Sequence, residues 1–232
     1  MATDIFGDSI DSISQIVAAV AALGTAAYGL VDASKCLRGG VSNVGFAHIE
    51  KKLEPFKPAF DGLVGAAARD TLYSNWVNGV ATPDQKAAAK ALIRLGLTPE
   101  NAATLADAVG LTGSAALTAA VEKVRKGDKL DDVDLNILGE FDAIVSAILD
   151  AAYERADQQY RNSAKGLAVV VAVLLAVLGG DILDTKPDYY FVSKEFWAAV
   201  LIGLISTPLA PIAKDLASAL GSAVQALQSI KR

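Results

Sequence analysis

The chain has 232 residues, of which 53% are hydrophobic and only 20% are charged, and its formal net charge is −5. Ordinary soluble domains carry about 25% charged residues, so this composition favours a protein that lies partly in a membrane. One Cys and one His exclude a tetrahedral zinc site, an iron–sulfur cluster and an intrachain disulfide. The acidic balance argues against nucleic acid as a partner.

No catalytic or cofactor-binding motif occurs in the sequence: it has no phosphate-binding loop, dinucleotide-binding glycine motif, nucleophile elbow or metalloprotease motif. Cys36 and His48 lack a neighbouring oxyanion-hole signature. The acidic run Asp128–Asp134 lacks the ligand order of a calcium loop and is better placed as negative charge at a helix N-terminus. We therefore expect no catalytic residue, no cofactor and no metal, and we predict that the protein is not an enzyme.

The first predicted element is an N-terminal transmembrane helix within residues 1–34. Its uncharged segment Ser12–Val31 would extend about 30 Å as a helix, and no Lys or Arg precedes it, so we expect it to be retained rather than cleaved as a signal. Small residues recur along it at helical spacing, which lets helices approach closely. We predict that these pack against another helix: Ala18, Ala22, Gly24, Ala26 and Gly29.

Residues 35–163 are predicted to form a soluble, cytoplasmic helical domain. The stretch from residue 35 to residue 165 holds 16 basic and 17 acidic residues, a balance that does not indicate a polybasic lipid-binding arm. Glycines and Thr-Pro pairs predict helices over residues 83–95, 99–109, 113–126 and from about 131 onward, with Thr82 and Thr98 as N-caps and Gln85 completing a capping box. Residues 39–62 are predicted to be a loop or a short amphipathic surface segment.

A C-terminal transmembrane hairpin is predicted over residues 164–213. No Pro occurs between Asp132 and Leu178, so one long helix is expected to run from the soluble domain into the apolar segment Gly166–Gly180. The other arm is Phe196–Ala213. Aromatic residues favour the headgroup region, so we predict that three residues of the turn lie at the membrane interface: Tyr189, Tyr190 and Trp197.

The distribution of charge predicts the orientation of these three helices. Residues 1–34 hold four acidic residues and no basic one, and the turn at residues 181–195 holds four acidic and two basic residues. Basic residues concentrate instead on the flanks that face the middle of the chain. By the positive-inside rule the N-terminus lies outside and residues 35–163 lie in the cytoplasm, in a plasma or inner membrane.

Residues 214–232 are predicted to form a C-terminal amphipathic helix that follows a kink at Pro208 and Pro211. Its polar stripe has two interpretations. In a homo-oligomer it would line a water-filled pore, whereas in the alternative the helix lies on the inner leaflet or packs on the soluble domain. The candidate pore-lining residues are Thr207, Asp215, Ser218, Ser222, Gln225 and Ser229.

Three functions are compatible with this all-α organisation. The first is a non-enzymatic integral membrane protein that self-assembles or serves as a subunit or scaffold, with the lipid bilayer, a second copy of the chain and a protein bound by residues 35–163 as partners. The second is an oligomeric channel or pore lined by the third helix and the polar stripe. The third is a soluble helical bundle with a conditionally inserting hydrophobic hairpin.

Overall fold

The computed structural model describes residues 2–37, 39–63, 65–183 and 187–230, with side chains except those of residues 2–12, 14, 36, 65–66, 187–188 and 213–230. Across these described residues every regular element is a helix and no strand is present, as the composition and periodicity predict. The chain divides into two compact units. The terminal unit comprises Met1–Gly40 with Asn162–Arg232, and the central unit comprises Val41–Arg161.

The central unit contains six complete helices and the first part of a seventh in the described part of the chain. The long helix α8 spans 52 residues and is continuous, as predicted, with residues 162–183 belonging to the terminal unit. The bounds are α2 Ser42–Leu53, α3 Lys57–Asp61, α4 Gly65–Val77, α5 Thr82–Gly96, α6 Pro99–Val109, α7 Ser114–Lys126 and α8 Asp132–Leu183.

Local capping chemistry sets the limits of the helices that the sequence predicts well. Gly110 and Gly127 follow α6 and α7 with φ of +74°, a left-handed conformation that glycine adopts without a side-chain clash. At the start of α6 the Thr98 N–H donates to Asn101 Oδ1 at 2.8 Å, which closes a capping box.

The predicted capping box at Thr82 is wrong. The N-cap of α5 is Ala81, and Gln85 is buried with its Nε2 donating to the Val80 carbonyl at 2.6 Å. The amide therefore donates to the backbone of the residue before the N-cap and makes no capping hydrogen bond to the N-cap itself.

Of the two interpretations of residues 39–62, the loop is wrong: most of the segment is helical, and α2 has one buried and one exposed face. Phe46, Ile49 and Leu53 of α2 are buried, and Phe56 lies in the 3-10 turn Glu54–Phe56 that joins α2 to α3. The two prolines of this region occupy first-turn positions of short helices, where a missing N–H costs little. The core that these side chains join includes Ile93, Leu105, Leu117, Val145 and Leu149.

The terminal unit contains α1 Ala2–Ala33, residues 162–183 of α8, a 3-10 turn at Pro187–Val192 and α9 Lys194–Ile230. Helix α9 is assigned as one helix of 37 residues with Pro208 and Pro211 inside it. The predicted third span and residues 214–230 of the predicted C-terminal helix are thus parts of a single element, and residues 231–232 lie outside the described residues.

Candidate membrane-spanning helices

Three helices of the described chain are long and apolar enough to cross a membrane, judged by length and composition. They are Gln15–Ala33 of α1, a window within α8, and Lys194–Ile212 of α9. A segment of 19 residues extends about 28 Å as a helix, close to the roughly 30 Å hydrocarbon core of a bilayer.

Helices α1 and α9 make a close backbone contact at Gly24. A Cβ atom at this position would lie 2.5 Å from the Ser206 carbonyl oxygen and 2.6 Å from Ala210 Cβ, so no larger residue fits without displacing α9. Ala27 and Val31, which follow Gly24 at helical spacing, are buried on the same face. Small residues therefore bring α1 and α9 together in the terminal unit.

Helices α9 and α8 meet in the same way at Gly203. A Cβ atom there would lie 2.5 Å from Val173 Cα and 3.0 Å from the Ala172 carbonyl oxygen. Ala168 and Ala172 of α8 are fully buried. Helix α9 thus contacts α1 through the Ser206–Ala210 turn and α8 through Gly203, so one helix packs against both others.

Hydroxyl groups accompany the prolines of α9. Pro211 has no N–H for the Thr207 carbonyl, and Pro208 has none for the Leu204 carbonyl. Ser206 is fully buried and donates to the Gly203 carbonyl at 2.9 Å. The Thr207 hydroxyl is also buried and has no hydrogen-bond partner among the described residues.

Large apolar side chains on all three helices remain exposed in the folded chain. Examples are Ile16 and Leu30 on α1, Val170, Leu174 and Leu178 on α8, and Leu201, Ile205 and Ile212 on α9. Large exposed apolar patches usually mark a surface that another molecule or a membrane covers.

The three aromatic residues predicted to lie at the membrane interface differ in exposure. Tyr190 is 1% exposed, and its hydroxyl would lie 2.2 Å from a Cβ atom added at Gly180, so it packs into the turn against α8. Its ring also contacts Phe196, with ring centroids 5.9 Å apart. Tyr189 and Trp197 are 71% and 63% exposed, which suits the interface position predicted for them.

The five residues predicted to pack against another helix divide into two groups. Gly24 forms the contact with α9 described above. The other four lie on the opposite face of α1 and are exposed in the single chain: Ala18, Ala22, Ala26 and Gly29. The face that packs inside the chain instead carries Val20, Ala21, Ala27 and Val31.

Of the candidate pore-lining residues, Thr207 is the one whose side chain the structure describes, and it is 2% exposed. Its side chain is therefore buried in the single chain and does not line an open surface. The other five belong to α9, and their side chains lie outside the described set: Asp215, Ser218, Ser222, Gln225 and Ser229.

The acidic residues at the start of α8 have structural partners. Asp131 Oδ1 accepts from the Val133 and Asp134 N–H groups, each at 2.9 Å, and Lys123 Nζ lies 2.6 Å from Asp134 Oδ2. The Asp134 N–H and then Lys123 hold the pKa of the Asp131 carboxyl below its usual range. The acidic run thus starts α8, as predicted, and no group of three potential metal ligands occurs among the described residues.

The predicted absence of a nucleophile and base pair concerns Cys36 and His48. The Cys36 side chain lies outside the described set, and His48 is partly buried on α2.

A surface cavity of about 470 Å³ opens near α2, with Phe46, Leu53, Phe60 and Leu72 at its apolar wall and charged side chains around it. The ion pair of Arg69 with Glu50, at 2.5 Å, lies at its edge.

Sequence reasoning missed Gly203, where α9 contacts α8, and Gly180, where the Tyr190 side chain packs against α8. A glycine in an apolar helix signals close approach, but the sequence does not reveal which element approaches it.

No family model, no curated protein and no solved structure matches the chain.

Proposed function

We propose that this chain is a non-enzymatic integral membrane protein that self-assembles or serves as a membrane subunit or scaffold for a partner. The exposure of large apolar side chains on α1, α8 and α9 is the observation that carries the proposal. A side chain of this size gains about 1.5–3 kcal/mol when it moves from water into apolar surroundings. Acyl chains would cover many such side chains at once.

The proposed topology places three spans in a plasma or inner membrane, with the N-terminus outside and residues 35–163 in the cytoplasm. The positions of the basic residues along the chain support this orientation. The close contacts at Gly24 and Gly203 support three helices that pack as one group in lipid, where small residues favour association.

The exposed face of α1 is the proposed contact between copies of the chain. Small residues there would let two helices approach within van der Waals distance, whereas large apolar residues cover most of the remaining surface. Residues 35–163 are the proposed binding region for a protein partner.

The conditional-insertion alternative requires a soluble form that hides the hairpin. Leu174, Leu178 and Leu201 are each more than half exposed, which disfavours that alternative for this conformation. The two alternatives can also be distinguished by experiment. An integral protein exposes different parts of the chain on the two sides of the membrane, whereas a soluble bundle does not cross it.

Cysteine labelling tests the proposed topology. Cys36 is the single Cys, so Cys36→Ser gives a background in which one new thiol can be introduced at an exposed position. We expect a membrane-impermeant maleimide to label Val192→Cys, in the turn, in intact cells. Thr112→Cys, between α6 and α7, should react only after the membrane is permeabilised. Equal labelling of both thiols in intact cells would contradict the topology.

A further inference from the structure

Cations from two distant parts of the sequence meet on one surface of the central unit. Lys51 and Lys52 follow the first predicted span, and Arg155 precedes the second. Helices α2 and α8 approach closely at Gly45, where an added Cβ atom would lie 2.9 Å from the Ala156 carbonyl oxygen. Arg155 directly precedes Ala156. The contact therefore places Arg155 next to the face of α2 that contains Gly45.

The lone histidine lies within this group of cations. His48 and Lys52 follow Gly45 by three and seven residues, so all three share a face of α2, and Lys51 follows His48 by three. The pKa of His48 is lowered, first by partial burial and then by the positive charges of Lys52 and Lys51 on α2 and of Arg155 on α8. Three basic side chains from two helices therefore lie close enough to the imidazole to act on its charge.

Seven of the ten other basic residues of the central unit have a carboxylate partner, whereas Lys57, Arg125 and Lys129 have none among the described residues. Lys86 pairs with Asp150, Lys90 with Asp142, and Lys126 with Glu122, and Glu50 on α2 itself pairs with Arg69. Among the described residues no ion pair includes Lys51, Lys52 or Arg155, and all three are exposed. We call these three residues, with His48, the basic cluster.

We propose that the basic cluster binds the phosphate headgroups of anionic lipids at the cytoplasmic surface of the membrane. This inference rests on the proposed function, because it assumes that the two sequence regions that supply the cluster flank membrane spans. Exposed Lys and Arg side chains near a membrane attract anionic headgroups, and three unpaired cations on one surface offer complementary charge. The overall charge balance of residues 35–163 conceals this local excess.

His48 provides an unambiguous reporter because it is the only His in the chain. The test places the full chain, with ¹³C-labelled His, in nanodiscs of phosphatidylcholine alone or of phosphatidylcholine with phosphatidylglycerol. The His48 titration is then followed by NMR. Headgroup phosphates near the imidazole would offset the cations, so we expect the titration midpoint to rise by about half a pH unit or more with phosphatidylglycerol.

Matched variants distinguish headgroup binding from a diffuse surface potential. Lys52→Gln should raise the midpoint in neutral nanodiscs and reduce the rise caused by phosphatidylglycerol to less than about half of its original size. Lys52→Arg should restore it. Lys129→Gln removes one exposed positive charge away from the cluster and should behave as the unmodified chain.

Three results would overturn the inference. The first is an equal His48 titration midpoint in both lipid compositions, and the second is an undiminished rise of the midpoint with phosphatidylglycerol in Lys52→Gln. The third is an equal rise of the midpoint when glycerol phosphate is added to neutral nanodiscs, which would identify a site for soluble anions. Co-elution of the chain with both kinds of nanodisc reports membrane integration separately. A chain that elutes apart from both would overturn the proposed function, and the inference with it.

Discussion

At the residue scale, two glycines account for the way in which the terminal unit holds together. Gly24 and Gly203 lie where the backbone of a neighbouring helix occupies the space of a side chain. Backbone cannot move aside as a flexible side chain can, so even one methyl group forces a shift of a whole helix. These positions therefore control packing although neither side chain carries any chemistry.

Gly24→Ala and Gly203→Ala should each destabilise the protein by about 1–3 kcal/mol, the usual cost of overpacking. Thermal unfolding in detergent measures the effect. Gly166→Ala in α8 is the matched control, because nothing lies within 4 Å of an added Cβ atom and Ala is the better helix former. Equal unfolding midpoints for all three variants would show that the close contacts are absent.

The start of α8 gives a second prediction at this scale, with a defined pH dependence. The pKa of Asp131 is lowered in the folded chain by the Asp134 N–H and by Lys123, so the charged carboxylate stabilises the fold. This contribution is complete above the unfolded pKa of about 4 and is lost as the pH falls through the lower folded value.

Asp131→Ala should therefore lower the thermal midpoint at neutral pH, and its midpoint should fall less on acidification than that of the unmodified chain. Asp128→Ala removes a nearby exposed carboxylate outside the N-terminal hydrogen bonds of α8 and serves as the control. An identical pH response in the Asp131 variant and the unmodified chain would contradict the assigned role.

At the element scale, the sequence predicts helix limits better than helix faces. The limits of α6 follow from Thr98, Pro99 and Gly110, whose effects on the backbone are local. The absence of Pro likewise predicts α8 as one helix. The packed face of α1, in contrast, depends on the position of α9. Ala18 and Gly24 are both small and were both predicted to pack against another helix, yet Gly24 contacts α9 and Ala18 is exposed.

Helix α2 shows the opposite failure. Glycines and prolines around it indicated an irregular segment, yet Gly45 allows α2 to approach α8, and Phe46 and Ile49 complete the core. Tertiary packing outweighs local propensity in such a short helix. The same contact gathers the basic cluster, which explains why sequence reasoning missed it.

The two faces of α1 permit a test of self-association that leaves folding intact. Ala22 is exposed on the proposed contact between copies, so Ala22→Leu should reduce the oligomer mass in detergent while the unfolding midpoint stays close to that of the unmodified chain. Multi-angle light scattering measures the mass. Ala198→Leu makes the same change at an exposed position of α9 and should leave the mass unaltered. Unchanged mass in both variants would argue against this face as the contact.

At the scale of the whole molecule, the two compact units differ in what covers their apolar side chains. In the central unit the large apolar residues of seven helices bury one another, and ion pairs such as Lys86–Asp150 link α5 to α8 at the surface. In the terminal unit small residues mediate the helix contacts, and the large apolar residues point outward. This inversion is the expected arrangement of a helical group whose solvent is lipid.

Extraction of membranes with alkaline carbonate, followed by size measurement of the detergent-solubilised protein, tests this account most directly. Carbonate releases peripheral proteins, whereas helices that span the bilayer remain in place because their apolar side chains stay in the acyl region. We predict that the full chain resists extraction and is recovered in detergent as a particle of defined mass. Recovery of the chain in the soluble fraction as a monomer would contradict the account.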